Sequence, residues 1–97
     1  MEKSIASERV FLHVIAKGWV QGVGFRRQAS RIAKELAIFG TVKNLEDGSV
    51  EIFLEGSRGQ VNQFLKLLEQ IYRPDDVTFI SSEKPFKNLF NAFEIIY

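Results

Sequence analysis

Apolar and polar positions change period several times along the chain, and each change marks an element. From Val10 to Lys17 the residues V-F-L-H-V-I-A-K are rich in β-formers and end at Gly18, which predicts a strand with both faces largely covered. From Phe25 the period lengthens, so that Phe25, Ala29, Ile32, Ala33 and Leu36 recur at helical spacing while Arg27, Arg31, Lys34 and Glu35 fall on other sides. That is the pattern of a helix lying on a sheet. Gly40 restarts the chain in extended form as T-V-K-N-L-E, and Asp47-Gly48 is the dipeptide of a tight hairpin turn that needs positive φ. In the following S-V-E-I-F-L-E, Val50, Ile52 and Leu54 share one face and Glu51, Phe53 and Glu55 the other, as in a sheet covered on one side.

Ser57 and Gln60 have the spacing of a capping box, and Val61, Phe64, Leu65, Leu68 and Ile71 form the next amphipathic stripe, so a second helix begins near Arg58. Arg73-Pro74-Asp75-Asp76 breaks it, V-T-F-I-S-S supplies another strand, Pro85 interrupts, and F-E-I-I-Y closes the pattern as a last extended segment. The order strand, helix, strand, strand, helix, strand predicts an α+β fold. Two such split units form the ferredoxin-like βαββαβ sandwich, an antiparallel sheet with two helices on one face.

Length and charge narrow the function classes. Ninety-seven residues, 45% of them hydrophobic, fit one domain over 1–97, with residues 1–8 expected to be a loosely held tail. With 13 Lys+Arg against 12 Asp+Glu the formal charge is +1, which gives no broad basic field for a nucleic acid, so anion binding must be local. There is no cysteine, which removes disulfides, thiolate metal sites and cysteine nucleophiles, and no segment approaches membrane-spanning length. A cytoplasmic monomer with no membrane and no nucleic-acid partner is the expectation.

The chemistry concentrates in G-W-V-Q-G-V-G-F-R, from Gly18 to Arg26. Glycines at 18, 22 and 24 admit backbone conformations that let several N–H groups converge, and the helix that follows adds its orphan N–H groups and the positive end of its dipole. Arg26 supplies a planar, permanently charged fork that matches two oxygens of a phosphate or carboxylate. Such a turn alone is more often structural than functional, and an asparagine such as Asn44 more often bonds its own backbone.

The stretch from Gly18 to Arg26, the second block G-T-V-K-N-L-E-D-G-S-V from Gly40 to Val50, then Gly56 and the final F-E-I-I-Y, together resemble the acylphosphatase family in both of its signature blocks. The resemblance implies a small cytosolic hydrolase that cleaves the carboxyl–phosphate anhydride of an acyl phosphate to a carboxylate and inorganic phosphate, with no metal and no organic cofactor. It places the phosphate-binding arginine at Arg26, the water-orienting asparagine at Asn44, and the phosphate-binding loop at Val20, Gln21, Gly22, Val23, Gly24, Phe25 and Arg26. Inorganic phosphate or sulfate is then the expected product-like ligand. The chain departs from the family at Trp19, where a polar or basic residue is common, at Thr41, which replaces an aromatic, and at R-P-D-D, which replaces a glycine-proline linker. None of these removes a catalytic group.

An alternative is a non-catalytic module that recognises phosphate or carbamoyl phosphate, like the acylphosphatase-like domains attached to larger maturation enzymes. A third reading, a single-stranded RNA binder with the same element order, meets an acidic face, because Glu51 and Glu55 flank Phe53 on the strand that would stack bases. His13, the only histidine, is expected on a sheet face, with no second ligand at useful spacing. Glu46, Asp47, Asp75 and Asp76 read as solvated turn carboxylates, and Lys17 and Arg27 as solvated cations that add to the local positive potential. The cluster F-K-N-L-F-N-A-F is expected to be a loop pinned to the core by its aromatics.

Overall fold

The computed structural model describes residues 7–97, so residues 1–6 of the expected tail lie outside the described residues. The elements are β1 (Arg9–Gly18), α1 (Phe25–Glu35), β2 (Phe39–Asn44), β3 (Val50–Ser57), α2 (Arg58–Ile71), β4 (Val77–Lys84) and β5 (Phe93–Ile96). They form a five-stranded sheet in the order β4-β1-β3-β2-β5. β1 lies antiparallel between β3 and β4, with His13 opposite Phe53 on one side and Ser82 on the other.

The period-2 pattern decides which face is the core. Val10, Leu12, Val14 and Ala16 of β1, Val42 of β2, and Val50, Ile52 and Leu54 of β3 point to the helices and are buried. Phe25, Ala29, Ile32 and Ala33 of α1 and Val61, Phe64 and Leu68 of α2 close over them in one cluster. This is the ferredoxin-like arrangement, with both helices on one face. Ile71, the last residue of α2, leaves the expected core stripe and is 44% exposed beside Trp19.

One feature of the sheet differs from the expected all-antiparallel arrangement. β5 pairs parallel to β2, with Gly40 opposite Phe93 and Val42 opposite Ile95, so the sheet is mixed. β4 and β5 lie at opposite edges, so residues 85–92 must cross the sheet, and a chain that crosses over can enter its last strand parallel to its neighbour. The crossover also changes the reading of the acidic face. Glu55 is only 1% exposed, and its carboxylate accepts hydrogen bonds from the Leu89 N–H at 3.1 Å and the Phe90 N–H at 3.0 Å. Phe90 packs against Phe11 and Phe53. Glu55 is therefore the anchor of the crossover rather than a solvated charge, and Phe90 pins that loop to the sheet face opposite the helices, not to the core as expected.

Local rules place the element ends. Ser57 Oγ accepts from the Gln60 N–H, the N-cap half of a capping box, and donates to Gln60 Oε1 at 2.8 Å in place of the backbone return bond. Arg58 then reaches Glu83 of β4 with two hydrogen bonds, at 2.8 and 3.0 Å, and its N–H donates to the Glu8 carbonyl. The β2–β3 hairpin turns at Gly48 (φ 93°), and the Asp47 carboxylate accepts from the Ser49 N–H and hydroxyl. Those bonds, the hydroxyl first, hold the Asp47 carboxyl below its ordinary range.

Candidate active site

β1 ends at Gly18, where a Cβ would lie 2.1 Å from the Asp76 carbonyl, so only glycine lets the strand pass β4 so closely. The Trp19 N–H then donates to that carbonyl at 3.0 Å, and the chain turns away into residues 19–24. Gly24 enters α1 in the left-handed region (φ 79°) with no side chain to cap the helix. The first turn holds no acidic residue. The Phe25, Arg26 and Arg27 N–H groups therefore keep no helical acceptor, and the positive end of the dipole opens to whatever lies in front of it.

In front of it is a cavity of about 300 Å³, lined by Val20, Gly22, Gly24, Phe25, Arg26 and Arg27 from the loop and helix. Asn44 from the end of β2, and Ile95 and Tyr97 from β5 and just beyond it, complete the wall. Arg26 and Asn44, assigned from separate sequence blocks, thus share one cavity. Of the Arg26 fork, Nη1 donates to the Ile96 carbonyl at 3.4 Å, and Cζ lies 4.9 Å from the centroid of the Tyr97 ring. Among the described residues no Asp or Glu side chain lines the cavity. The Asn44 Oδ1 is buried and finds no hydrogen-bond partner among the described residues. A buried amide oxygen in that position calls for a donor from water or a ligand.

Not every residue of the assigned loop turns to the cavity. The Gln21 side chain points instead to the β2–β3 hairpin, where Nε2 donates to the Leu45 carbonyl at 2.8 Å and the Ser49 carbonyl at 2.9 Å. Val23 is exposed and shares a separate groove with Trp19, which is 71% exposed, and Ile71. Thr41 lies on the opposite face of β2 from Asn44, across from Phe53. His13 stacks on Phe53 at 4.7 Å and bonds Glu51 at 2.8 Å, a sheet-face position away from the cavity. Among the described residues no group of three or more His, Cys, Asp or Glu is placed to hold a metal ion.

Ile95 and Tyr97 escaped the sequence reading. F-E-I-I-Y was legible as a strand, but its neighbour was not. The parallel register sets Ile96 opposite Lys43, which carries the next residue, Tyr97, to the end of β2 where Asn44 sits.

The cavity offers an anion a helix N-terminus and the guanidinium groups of Arg26 and Arg27, with the Asn44 amide beside them, and among the described residues its lining holds no carboxylic acid side chain or histidine to act as a general acid. That set suits a reaction whose leaving group needs little protonation.

Comparison with known proteins agrees. The acylphosphatase family model matches residues 12–95. The chain is 42% identical over 76 residues to an acylphosphatase of Bordetella parapertussis, covering 78% of this chain and 81% of the relative. It is 36% identical over 93 residues to an acylphosphatase of Arthrobacter sp., covering 95% and 85%. The crystal structure of acylphosphatase from Bacillus subtilis superposes with a TM-score of 0.82 at 32% identity, covering 91% of this chain and 99% of that one. These relatives favour the hydrolase over the non-catalytic module. The chain belongs to the acylphosphatase family and is a hydrolase of acyl phosphates.

Proposed function

We propose that this hydrolase binds the phosphoryl group of its substrate between Arg26 and the N–H groups of the loop from Gln21 to Phe25 and the helix start, the Val20 N–H being already donated to the Gly18 carbonyl at 3.0 Å, and that Asn44 orients the attacking water. The observation that carries the reading is that Asn44 lines the same cavity as Arg26 while its buried Oδ1 has no partner among the described residues. An amide oxygen that accepts from water fixes where the water's lone pair points.

The water oxygen bonds to phosphorus as the phosphorus–oxygen bond to the acyl group breaks, and that electron pair leaves on the carboxylate. One water proton passes to a phosphoryl oxygen, so the products are a carboxylate and inorganic phosphate. A carboxylate is a good enough leaving group that no general acid is needed, and the substrate's own phosphate serves as base. The protein's share is position and charge compensation, the main means of catalysis in phosphoryl transfer. Neither step calls on a metal or organic cofactor.

Steady-state hydrolysis of benzoyl phosphate, with phosphate or sulfate as competing ligand, tests the assignment. Arg26→Ala should lose both turnover and phosphate inhibition. Asn44→Ala should keep phosphate inhibition and lose on the order of 10² in kcat. Turnover that survives both changes would sink the roles given to these residues. The same reading takes the protein as a cytoplasmic monomer. Among the described residues no helix is long and apolar enough to cross a membrane. A molar mass by light scattering above that of one chain would count against the monomer.

A further inference from the structure

Arg27 lines the same cavity as Arg26, yet the mechanism uses only its backbone N–H and gives its guanidinium no role. We infer that Arg27 is a specificity determinant that selects acyl phosphates carrying a second anionic group on the acyl portion. The inference rests on the acylphosphatase reading and names a substrate class within it.

Three observations support it. First, Arg27 is exposed and has no hydrogen-bond or ion-pair partner among the described residues. The acid nearest along its helix face, Glu35, is taken by Arg31 at 3.0 Å. A guanidinium kept clear of internal carboxylates at the rim of an anion site is available to a ligand.

Second, the cavity is larger than the phosphoryl group requires. Five heavy atoms at about 30 Å³ each fill ~150 Å³, roughly half of the 300 Å³ of this solvent-open cavity. The remaining wall is made by Ile95, Tyr97 and Arg27, two apolar or aromatic surfaces and one cation. An acyl group that is apolar next to the carbonyl and anionic further out finds a partner for each part in that lining. Third, among the described residues no Asp or Glu side chain lines the cavity, so a second negative charge meets no side-chain carboxylate there.

The charges also divide between two jobs. Arg26 is tethered to the Ile96 carbonyl and the Tyr97 ring, which fixes it for one anion. Arg27 has no tether and is free to follow a group whose distance from the phosphorus varies. A flexible exposed cation contributes through charge more than through geometry, so Lys should substitute for it.

The test compares kcat/KM for 4-carboxybenzoyl phosphate and benzoyl phosphate, a pair that differs by one remote carboxylate and cannot cyclise. The unaltered protein should prefer the carboxylated substrate at low ionic strength. Arg27→Gln should cut that preference roughly two- to fivefold, the size of one exposed charge contact, while benzoyl phosphate turnover stays within about twofold. Arg27→Lys should retain the preference, and 1 M salt should erase it through screening. An equal loss for both substrates in Arg27→Gln would overturn the inference and assign Arg27 to the phosphoryl group. An unchanged ratio would overturn it as well. Absence of turnover of either substrate by the unaltered protein would instead strike at the acylphosphatase activity itself, and the inference would fall with it.

Discussion

The Arg26 guanidinium stands over the ring of Tyr97, with Cζ 4.9 Å from the ring centroid, while Nη1 donates to the neighbouring Ile96 carbonyl at 3.4 Å. The last strand thereby steadies the cation that the loop presents, and it does so with one of the five guanidinium donors, leaving the rest of the fork for an anion. Tyr97 is 92% exposed, so the ring contact sits in water and is worth about 0.5–1 kcal/mol. Tyr97→Ala should therefore raise the inhibition constant of phosphate, and KM with it, by roughly three- to fivefold. Tyr97→Phe should stay within twofold of the parent. Unaltered phosphate inhibition in Tyr97→Ala would show that Arg26 is set by the backbone alone.

Gln21 couples the two sequence blocks. Both of its Nε2 hydrogens go to carbonyls of the hairpin, Leu45 next to Asn44 and Ser49 across the turn, so the loop and the strand end that carry the two assigned groups are tied directly. Gln21→Ala removes both donors and should cost about 1–2 kcal/mol of stability in urea unfolding. Its larger effect should be on kcat, about tenfold or more, with phosphate inhibition within about twofold, because a displaced Asn44 misplaces the water before it disturbs the anion. Gln21→Glu should be worse than Ala, since a carboxylate would face two carbonyl oxygens. If kcat and phosphate affinity fell in parallel, Gln21 would act on the anion cradle and not on the water.

What the sequence made legible was local. The N-cap at Ser57 and Gln60, the turn at Asp47-Gly48 and the two helical stripes each follow from residues a few positions apart, and they appear where their spacing puts them except for Ile71 at the end of the second stripe. Arg26 and Asn44 were legible because they fall within two motifs. The rest depended on pairings between distant segments. Nothing near Glu55 announces that residues 89 and 90 will lie over it, and its alternation with Phe53 reads as an exposed face. Likewise Gln21 looks like a loop residue until the hairpin is folded against it. Tyr97 joins the site only through the parallel β2–β5 register, which periodicity within β5 does not encode.

The Arg58–Glu83 pair gives a pH signature. Its two hydrogen bonds hold the Glu83 carboxyl below its ordinary range. A carboxyl whose pKa is lowered by folding takes up protons more readily when unfolded, so its contribution is complete above the ordinary carboxylate range and is lost as pH falls through it towards the folded pKa. Asp47, lowered by its bonds from Ser49, adds in the same direction. Glu83→Gln should accordingly lower Tm at pH 7 and flatten the decline of Tm between about pH 5 and pH 3. Arg58→Gln should produce the same flattening, since it removes the partner. Tm curves that run parallel to the parent through this range would mean that the exposed pair contributes nothing to stability.

Ala37 ends α1 in the left-handed region, at φ 56°, a place usually held by glycine. The Ile38 N–H donates to the Ala33 carbonyl at 2.9 Å and the Ala37 N–H to the Lys34 carbonyl at 3.3 Å, the paired bonds of a Schellman cap. The cap fixes the conformation, and the side chain at 37 has to accept it. A Cβ there costs roughly 1–2 kcal/mol, while glycine gives back about 0.4–1 kcal/mol through its greater freedom when unfolded. Ala37→Gly should therefore stabilise the fold by about 0.5 kcal/mol, or roughly 2–4 °C in Tm for a domain of this size. Ala37→Val should shift Tm in the opposite direction, because branching at Cβ adds to the clash. The cap lies away from the cavity, so both variants should turn over benzoyl phosphate at the parent rate under conditions where they are folded. A lower Tm for Ala37→Gly would show that the cap carries no strain to relieve.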